Sequence, residues 1–147
     1  MRRRSMVTLV GLALAIGAVW IAPVSAGGTC TDTGTDSADN LRGTDSEDSL
    51  CGKGGNDRLA GRNGDDSLVG GGGGDLLIGG GGGDLMKGGA EGDVLIGGPG
   101  LDNLTGGVGS DLIDAAGGGD DVVRGGGGND VCYVDAGDNV RGCEETV

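Results

Sequence analysis

A bulky apolar residue recurs at intervals of nine along most of the chain. Two residues before each of them lies an aspartate, and five residues before most of these aspartates lies a glycine. Alternate residues of a strand face opposite sides, so this pattern predicts short strands whose middle residue points inward, separated by tight turns. The apolar positions are Leu41, Leu50, Leu59, Leu68, Leu77, Met86, Leu95, Leu104, Ile113, Val123, Cys132 and Val140.

The repeating unit is a nonapeptide, G-G-x-G-x-D-x-U-x, in which U is the apolar residue. Good copies are "GGGGGDLLI" (70–78) and "GGGGNDVCY" (125–133). So regular a period predicts a solenoid. We predict an all-β fold, a parallel β-roll of about twelve nonapeptide repeats over residues 34–142, in which two repeats complete one coil. Six coils spaced by about 4.8 Å would form a rod roughly 29 Å long.

The turns carry the candidate chemistry. A single aspartate in a turn is ordinary turn chemistry, but twelve in a fixed phase favour a metal site. Calcium takes six to eight oxygen ligands. The carboxylate and glycine carbonyls of one turn supply half a site, and the turn stacked on it supplies the rest. The predicted Ca²⁺ ligands are Asp57, Asp66, Asp75, Asp84, Asp93, Asp102, Asp111, Asp121, Asp130, Gly71, Gly73, Gly80, Gly82, Gly98, Gly100, Gly107, Gly109, Gly126 and Gly128.

The composition is glycine-rich and strongly acidic. The 147 residues include 39 glycines and no histidine, and the net charge is −13. Such a composition is otherwise typical of disordered or fibrous chains. The negative charge disfavours nucleic acid and anionic membranes as partners and suits a cation. With no histidine, and with aspartate pairs placed in solvated turns, the chain offers little material for catalysis, so we predict no enzyme activity.

The first 26 residues have the organisation of a secretory signal peptide. Arginines at 2–4 precede an apolar segment at 6–21, and small residues at 24–26 predict cleavage before Gly27. An uncleaved anchor is the alternative, although the apolar segment is short for a membrane span. The choice between general and twin-arginine export stays open. The prediction is therefore a secreted chain, not inserted in a membrane, with a lead-in at 27–33, the roll at 34–142 and a tail at 143–147.

Four cysteines, Cys30, Cys51, Cys132 and Cys143, lie in two groups near the ends of the repeats. An even number in a secreted chain predicts two disulfides. Zinc is disfavoured because the chain has no histidine and no C-x-x-C spacing. Disulfide Cα atoms lie within about 7 Å, whereas the two groups lie at opposite ends of the rod. We therefore predict the pairs Cys30–Cys51 and Cys132–Cys143.

Residues 34–142 resemble the RTX, or haemolysin-type, calcium-binding repeats of bacterial secreted toxins and proteases. The stretch after Cys30, "GTDSADNLRGTDSEDSLCGKGGNDRLAG", is similar to small secreted actinobacterial members of that family. The resemblance implies Ca²⁺ as the bound ion. Several turns depart from the consensus, which puts their half-sites in doubt. These departures are Ser37, Ser46, Lys53, Arg62, Glu91 and Ala116, the last of which is expected to replace the leading glycine of the repeat at 116–124.

Two classes of function follow. The first is extracellular calcium binding with calcium-dependent folding. The second is a structural or adhesive surface module, in which calcium rigidifies a rod that binds a partner. One stack of strands is predicted to expose an apolar strip, formed by Leu76, Ile78, Val94 and Ile96. That strip is either a simple strand ladder or a surface for self-association or an extracellular partner.

Overall fold

The computed structural model describes residues 29–147, which form fourteen short strands and no helix. The predicted signal peptide and residues 27–28 lie outside the described residues. The strands are β1 (Asp32–Thr33), β2 (Asn40–Arg42), β3 (Ser49–Gly54), β4 (Arg58–Asn63), β5 (Ser67–Gly72), β6 (Leu76–Gly81), β7 (Leu85–Ala90), β8 (Val94–Ile96), β9 (Asn103–Val108), β10 (Leu112–Asp114), β11 (Val122–Gly127), β12 (Val131–Tyr133), β13 (Asn139–Arg141) and β14 (Glu145–Thr146).

The strands form two parallel seven-stranded sheets. Odd-numbered strands stack in the order β1 to β13, and even-numbered strands stack in the order β2 to β14. Successive strands within a sheet pair at an offset of eighteen residues, as Leu50 with Leu68 and Leu59 with Leu77. The chain therefore passes from one sheet to the other after each nonapeptide, and the predicted parallel β-roll is confirmed. We call the two layers the odd-strand sheet and the even-strand sheet.

The core is a ladder of single inward side chains, one from each of the strands β2 to β13. Its fully buried members include Leu50, Leu59, Leu68, Leu77, Met86, Leu95, Leu104, Ile113, Val123 and Cys132. Each buried leucine contributes about 1.5–3 kcal/mol relative to an exposed one. Because the core is one residue deep, each coil is stabilised mainly by its two neighbours, as in other solenoids.

Disulfides fasten both ends of the roll. Cys30 is bonded to Cys51 and Cys132 to Cys143, with Cα–Cα distances of 5.9 and 6.0 Å. The predicted pairing is therefore confirmed. The first bond ties the start of the described chain to β3, and the second ties the tail to the inward position of β12.

One expectation about the turns was wrong. The sequence placed Ala116 at the leading glycine position of its repeat, but Ala115 is the buried residue there. The Ala115 amide donates to the Tyr133 carbonyl at 2.9 Å, as leading glycines such as Gly43 do to the coil above. The extra residue of this repeat therefore lies in the turn at 116–120, where an insertion does not disturb the core. No helix within residues 29–147 is long and apolar enough to cross a membrane.

Candidate metal centre

Two ladders of buried aspartates run along the edges of the roll. In each, the Asp Oδ1 accepts a hydrogen bond from the backbone amide of the aspartate one coil earlier. The Asp57 amide donates to Asp75 at 2.8 Å, and the Asp75 amide donates to Asp93 at 2.8 Å. The same bond recurs from Asp39 to Asp138. Half of each carboxylate is therefore used to join adjacent coils.

The second oxygen of these carboxylates is left without a partner. Within residues 29–147, Oδ2 is buried and accepts no hydrogen bond in nine aspartates. These are the nine predicted ligands, Asp57, Asp66, Asp75, Asp84, Asp93, Asp102, Asp111, Asp121 and Asp130. An unpartnered buried carboxylate oxygen is costly. A cation or a proton at this oxygen would remove that cost.

A glycine lies against each unpartnered oxygen along most of the roll. A Cβ on Gly70 would overlap Oδ2 of Asp75 and would lie 2.8 Å from the carbonyl oxygen of Gly88 in the next coil. The same arrangement holds at Gly79, next to Asp84 and the Gly97 carbonyl. The missing side chain thus leaves a carboxylate oxygen and a carbonyl oxygen facing a common space, which fits an oxygen-binding cation.

The ten predicted glycine ligands share a backbone conformation. All have φ between +104° and +157°. Gly71 shows why side chains are excluded, since a Cβ there would overlap the carbonyl oxygen of Lys53 one coil earlier. Three residues other than glycine also adopt positive φ at equivalent turn positions, and they are departures noted in the sequence: Lys53, Arg62 and Glu91.

Side chains alone do not complete a metal site. Among the described residues, no three Asp, Glu, Cys or His side chains converge on one point. Carboxylates follow one another coil by coil instead of clustering. Any cation held at these edges must therefore take backbone carbonyl oxygens as further ligands, which suits calcium better than metals that prefer nitrogen or sulfur.

Burial makes the charged form of the ladder unfavourable. It raises the pKa of Asp84 to about 6 and that of Asp93 to about 7. Neighbouring carboxylates on the same edge raise both values further, while the amide hydrogen bond opposes the change. The pKa values of Asp66, Asp75, Asp102, Asp111 and Asp121 are raised for the same first reason. The buried aspartates therefore favour the binding of a proton or a metal cation, either of which would offset their buried negative charge.

Comparison with protein families identifies this architecture. The model of the RTX calcium-binding nonapeptide repeat matches in four copies, at residues 33–61, 52–86, 87–118 and 115–140. The chain belongs to this family. RTX repeats bind Ca²⁺. Comparisons with curated proteins and with solved structures gave no significant match. The finer likeness to small actinobacterial proteins stays a prediction.

The first RTX coil satisfies its carboxylates in a different way. Oδ2 of Asp39 accepts hydrogen bonds from the amide and the hydroxyl of Thr35, at 2.6 and 2.8 Å. Thr44 bonds Asp48 in the same way. Threonine thus fills the place that is left open in later turns. The nonapeptide pattern does not indicate this role, although the repeated "GTDS" (34–37 and 43–46) signals it.

In the last coil, two groups of the aspartate ladders also find hydrogen-bond partners within the protein. Oδ2 of Asp138 accepts the Asp135 amide at 2.7 Å. The Asp130 amide donates at 2.6 Å to Glu144, which takes the place of the next aspartate in the series. Glu144 follows the disulfide-bonded Cys143, so the bond holds it against Asp130. Nothing in the repeat pattern pointed to Glu144, because it lies outside the period of nine.

Proposed function

We propose that this chain is an extracellular calcium-binding protein whose roll folds when calcium binds. The nine buried and unpartnered Oδ2 atoms carry the proposal. A divalent cation shared between adjacent turns would compensate carboxylates that otherwise repel each other inside the fold. Metal that binds only the folded chain adds its binding free energy to folding.

The proposed ligands are the nine aspartates together with turn carbonyls of the neighbouring coil. The ten predicted glycines permit these turns, because each has a positive φ that excludes a side chain. Asp39 and Asp48 of the first coil accept bonds from threonines, and Asp138 of the last coil accepts the Asp135 amide, so these three carboxylates would not need calcium. We propose no catalytic role, since the buried aspartates are engaged in the ladder and not in an open cleft. The two disulfides support an oxidising, extracellular location.

The test compares two adjacent aspartates. Asp66→Asn removes the charge at an unpartnered Oδ2, whereas Asp65→Asn removes the same charge from an exposed side chain whose Oδ1 accepts the Gly83 amide. Asparagine retains the Oδ1 acceptor in both variants. Circular dichroism during calcium titration should show a higher midpoint for Asp66→Asn and an unchanged one for Asp65→Asn.

Two further outcomes bear on the proposal. Magnesium should replace calcium poorly, because it requires a smaller octahedral set of ligands. A chain that is fully β-rich in excess chelator at neutral pH would contradict calcium-dependent folding. Equal midpoints for the two asparagine variants would contradict the assignment of the ladder as the site.

A second function is favoured by the outer face of the even-strand sheet. Leu76, Ile78 and Val94 are partly exposed there, and Ile96 is 36% exposed. We propose that this strip serves self-association or an extracellular partner, so that calcium also builds a contact surface. The roll would then act as a structural module as well as a calcium binder.

A further inference from the structure

The charge and polarity of the outward side chains on the even-strand sheet change along the roll. Arg42 and Arg58 occupy outward positions on β2 and β4, next to the inward ladder. Asp114 and Glu145 occupy outward positions on β10 and β14. The outward positions of β6 and β8 between them are apolar. The face is therefore positive at its N-terminal end, apolar in the middle and negative at its C-terminal end.

A depression of about 460 Å³ lies at the positive end of this face. Ala60 lines it, and the register places this small residue between Arg42 and Ile78. A short side chain between two long ones thus leaves a gap in the column. Tyr133 lies in the same column on β12, near the opposite end of the sheet, and is 40% exposed. It is the only aromatic residue of the chain besides Trp20.

We propose that a second copy of this chain packs face to face on the even-strand sheet, about a two-fold axis parallel to the strands through β8. This axis reverses the strand order of the second copy, so β4 faces β12 and β6 faces β10. Tyr133 of each copy then enters the depression at Ala60 of the other. Ile96 packs on its own counterpart at the centre. Each off-axis contact is made twice, as in any isologous dimer.

Charge selects this axis over the other two-fold arrangement. An axis along the stacking direction would place β2 on β2 and exchange the two outward columns, so Arg42 of one copy would lie beside Arg58 of the other. With the axis parallel to the strands, Arg58 lies close to Glu145 of the other copy, because β14 adjoins β12. Opposite charges favour one orientation and like charges disfavour the other. A free anion would engage only the arginines and would leave the apolar centre and Tyr133 uncovered.

The contact is small and the dimer should be weak. Seven strands with three residues across the face cover roughly 29 Å by 10 Å, or about 300 Å² per copy. Stable complexes bury about 800 Å² per partner. We therefore expect a reversible dimer with a dissociation constant of roughly 0.1–1 mM. The proposal rests on the calcium-bound roll proposed above, because only stacked coils bring these columns into register.

Charge exchange with sedimentation equilibrium provides the test. The mature chain in saturating calcium is compared with Arg58→Glu, with Glu145→Arg and with the variant that carries both. Each single change turns two symmetric attractions into repulsions and should weaken the dimer roughly tenfold. The double variant restores complementary charges and should return to within about threefold of wild type. Arg141→Glu, on the odd-strand sheet, is the matched control and should have no effect.

Tyr133→Ser provides an independent variant, because it removes the ring that fills the depression at Ala60 of the other copy and does not change the charge. It should also weaken association. Circular dichroism of every sample reports separately whether the roll is folded. A folded wild-type chain that stays monomeric at about 1 mM would overturn the dimer and leave calcium binding intact. A dimer that the double exchange does not restore would also overturn it. A chain that stays unfolded in saturating calcium would overturn both proposals.

Discussion

Replacing Gly71 with alanine should disrupt the stacking of two coils. Gly71 has φ +120°, and its missing Cβ would overlap the carbonyl oxygen of Lys53. Alanine at a positive φ costs about 1–2 kcal/mol. Overpacking against a backbone atom, which cannot rotate away as a side chain can, adds about 1–3 kcal/mol. The expected loss of unfolding free energy is therefore about 2–5 kcal/mol.

The adjacent residue supplies the matched control. Gly72 lies in the same strand, its φ is not positive, and the nearest atom to a Cβ there is the Lys53 carbonyl oxygen at 4.0 Å. Gly72→Ala removes the same backbone freedom from the unfolded chain without meeting an obstacle. It should be neutral or stabilise the roll by about 0.4–1 kcal/mol.

Urea unfolding in saturating calcium, followed by circular dichroism, measures both changes. Gly71→Ala should lower the unfolding midpoint strongly and should raise the calcium concentration needed for folding, because the turn that presents the carbonyls is displaced. Gly72→Ala should change neither. Equal urea midpoints for the two variants would refute the claim that close coil stacking requires glycine at this turn position.

Further predictions concern the threonine of the first coil, the positive φ of Glu91 and the dependence of stability on pH. Thr44→Val removes the hydroxyl bond to Asp48 and should lower the unfolding free energy by about 1 kcal/mol in a urea titration. Glu91→Gly relieves a φ of +74° and should raise the urea midpoint by an amount equivalent to about 1 kcal/mol. Burial raises the pKa of Asp84 to about 6 and of Asp93 to about 7, from an ordinary value of 3.8. The folded, calcium-free chain therefore binds protons more tightly than the unfolded chain, and its stability should fall as pH rises from about 4 to 7. Circular dichroism in chelator should show more β-structure near pH 4.5 than near pH 8. In a calcium titration, low pH should instead raise the calcium concentration at which half of the chain is folded, because protons compete with calcium for the aspartates.

The period of nine predicted the fold well because one repeat determines both a strand and a turn. The inward position of Leu77 and the positive φ of Gly80 both follow from the nonapeptide phase. The disulfides followed from the length of the rod that the same period implies. Repetition thus supplied the long-range information that a non-repetitive chain of this size conceals.

Features that break the period were harder to predict. Ala115 takes a glycine position because the extra residue of its repeat moves into the following turn, and the sequence alone does not fix where an insertion is absorbed. Glu144 replaces a ladder aspartate although it is fourteen residues from Asp130, since the chain takes a shorter path at the end of the roll. The role of Thr35 rests on a hydrogen bond from its hydroxyl to Asp39 within one turn, and the period of the strands does not predict such a bond. These residues lie at ends and insertions, where coils lack a regular neighbour.

The choice of aspartate at every ladder position is itself evidence about function. Asparagine would offer the same Oδ1 acceptor to the amide of the previous coil without a buried charge. The chain does use asparagine in these turns, as at Asn56 and Asn129, each directly before a ladder aspartate. Two unit charges one coil apart, about 4.8 Å, repel by roughly 3 kcal/mol at an effective dielectric constant of 20. A ladder built only to join coils would be more stable with the amide. Repeating the charged group in nine buried positions is favourable only when a cation accompanies it.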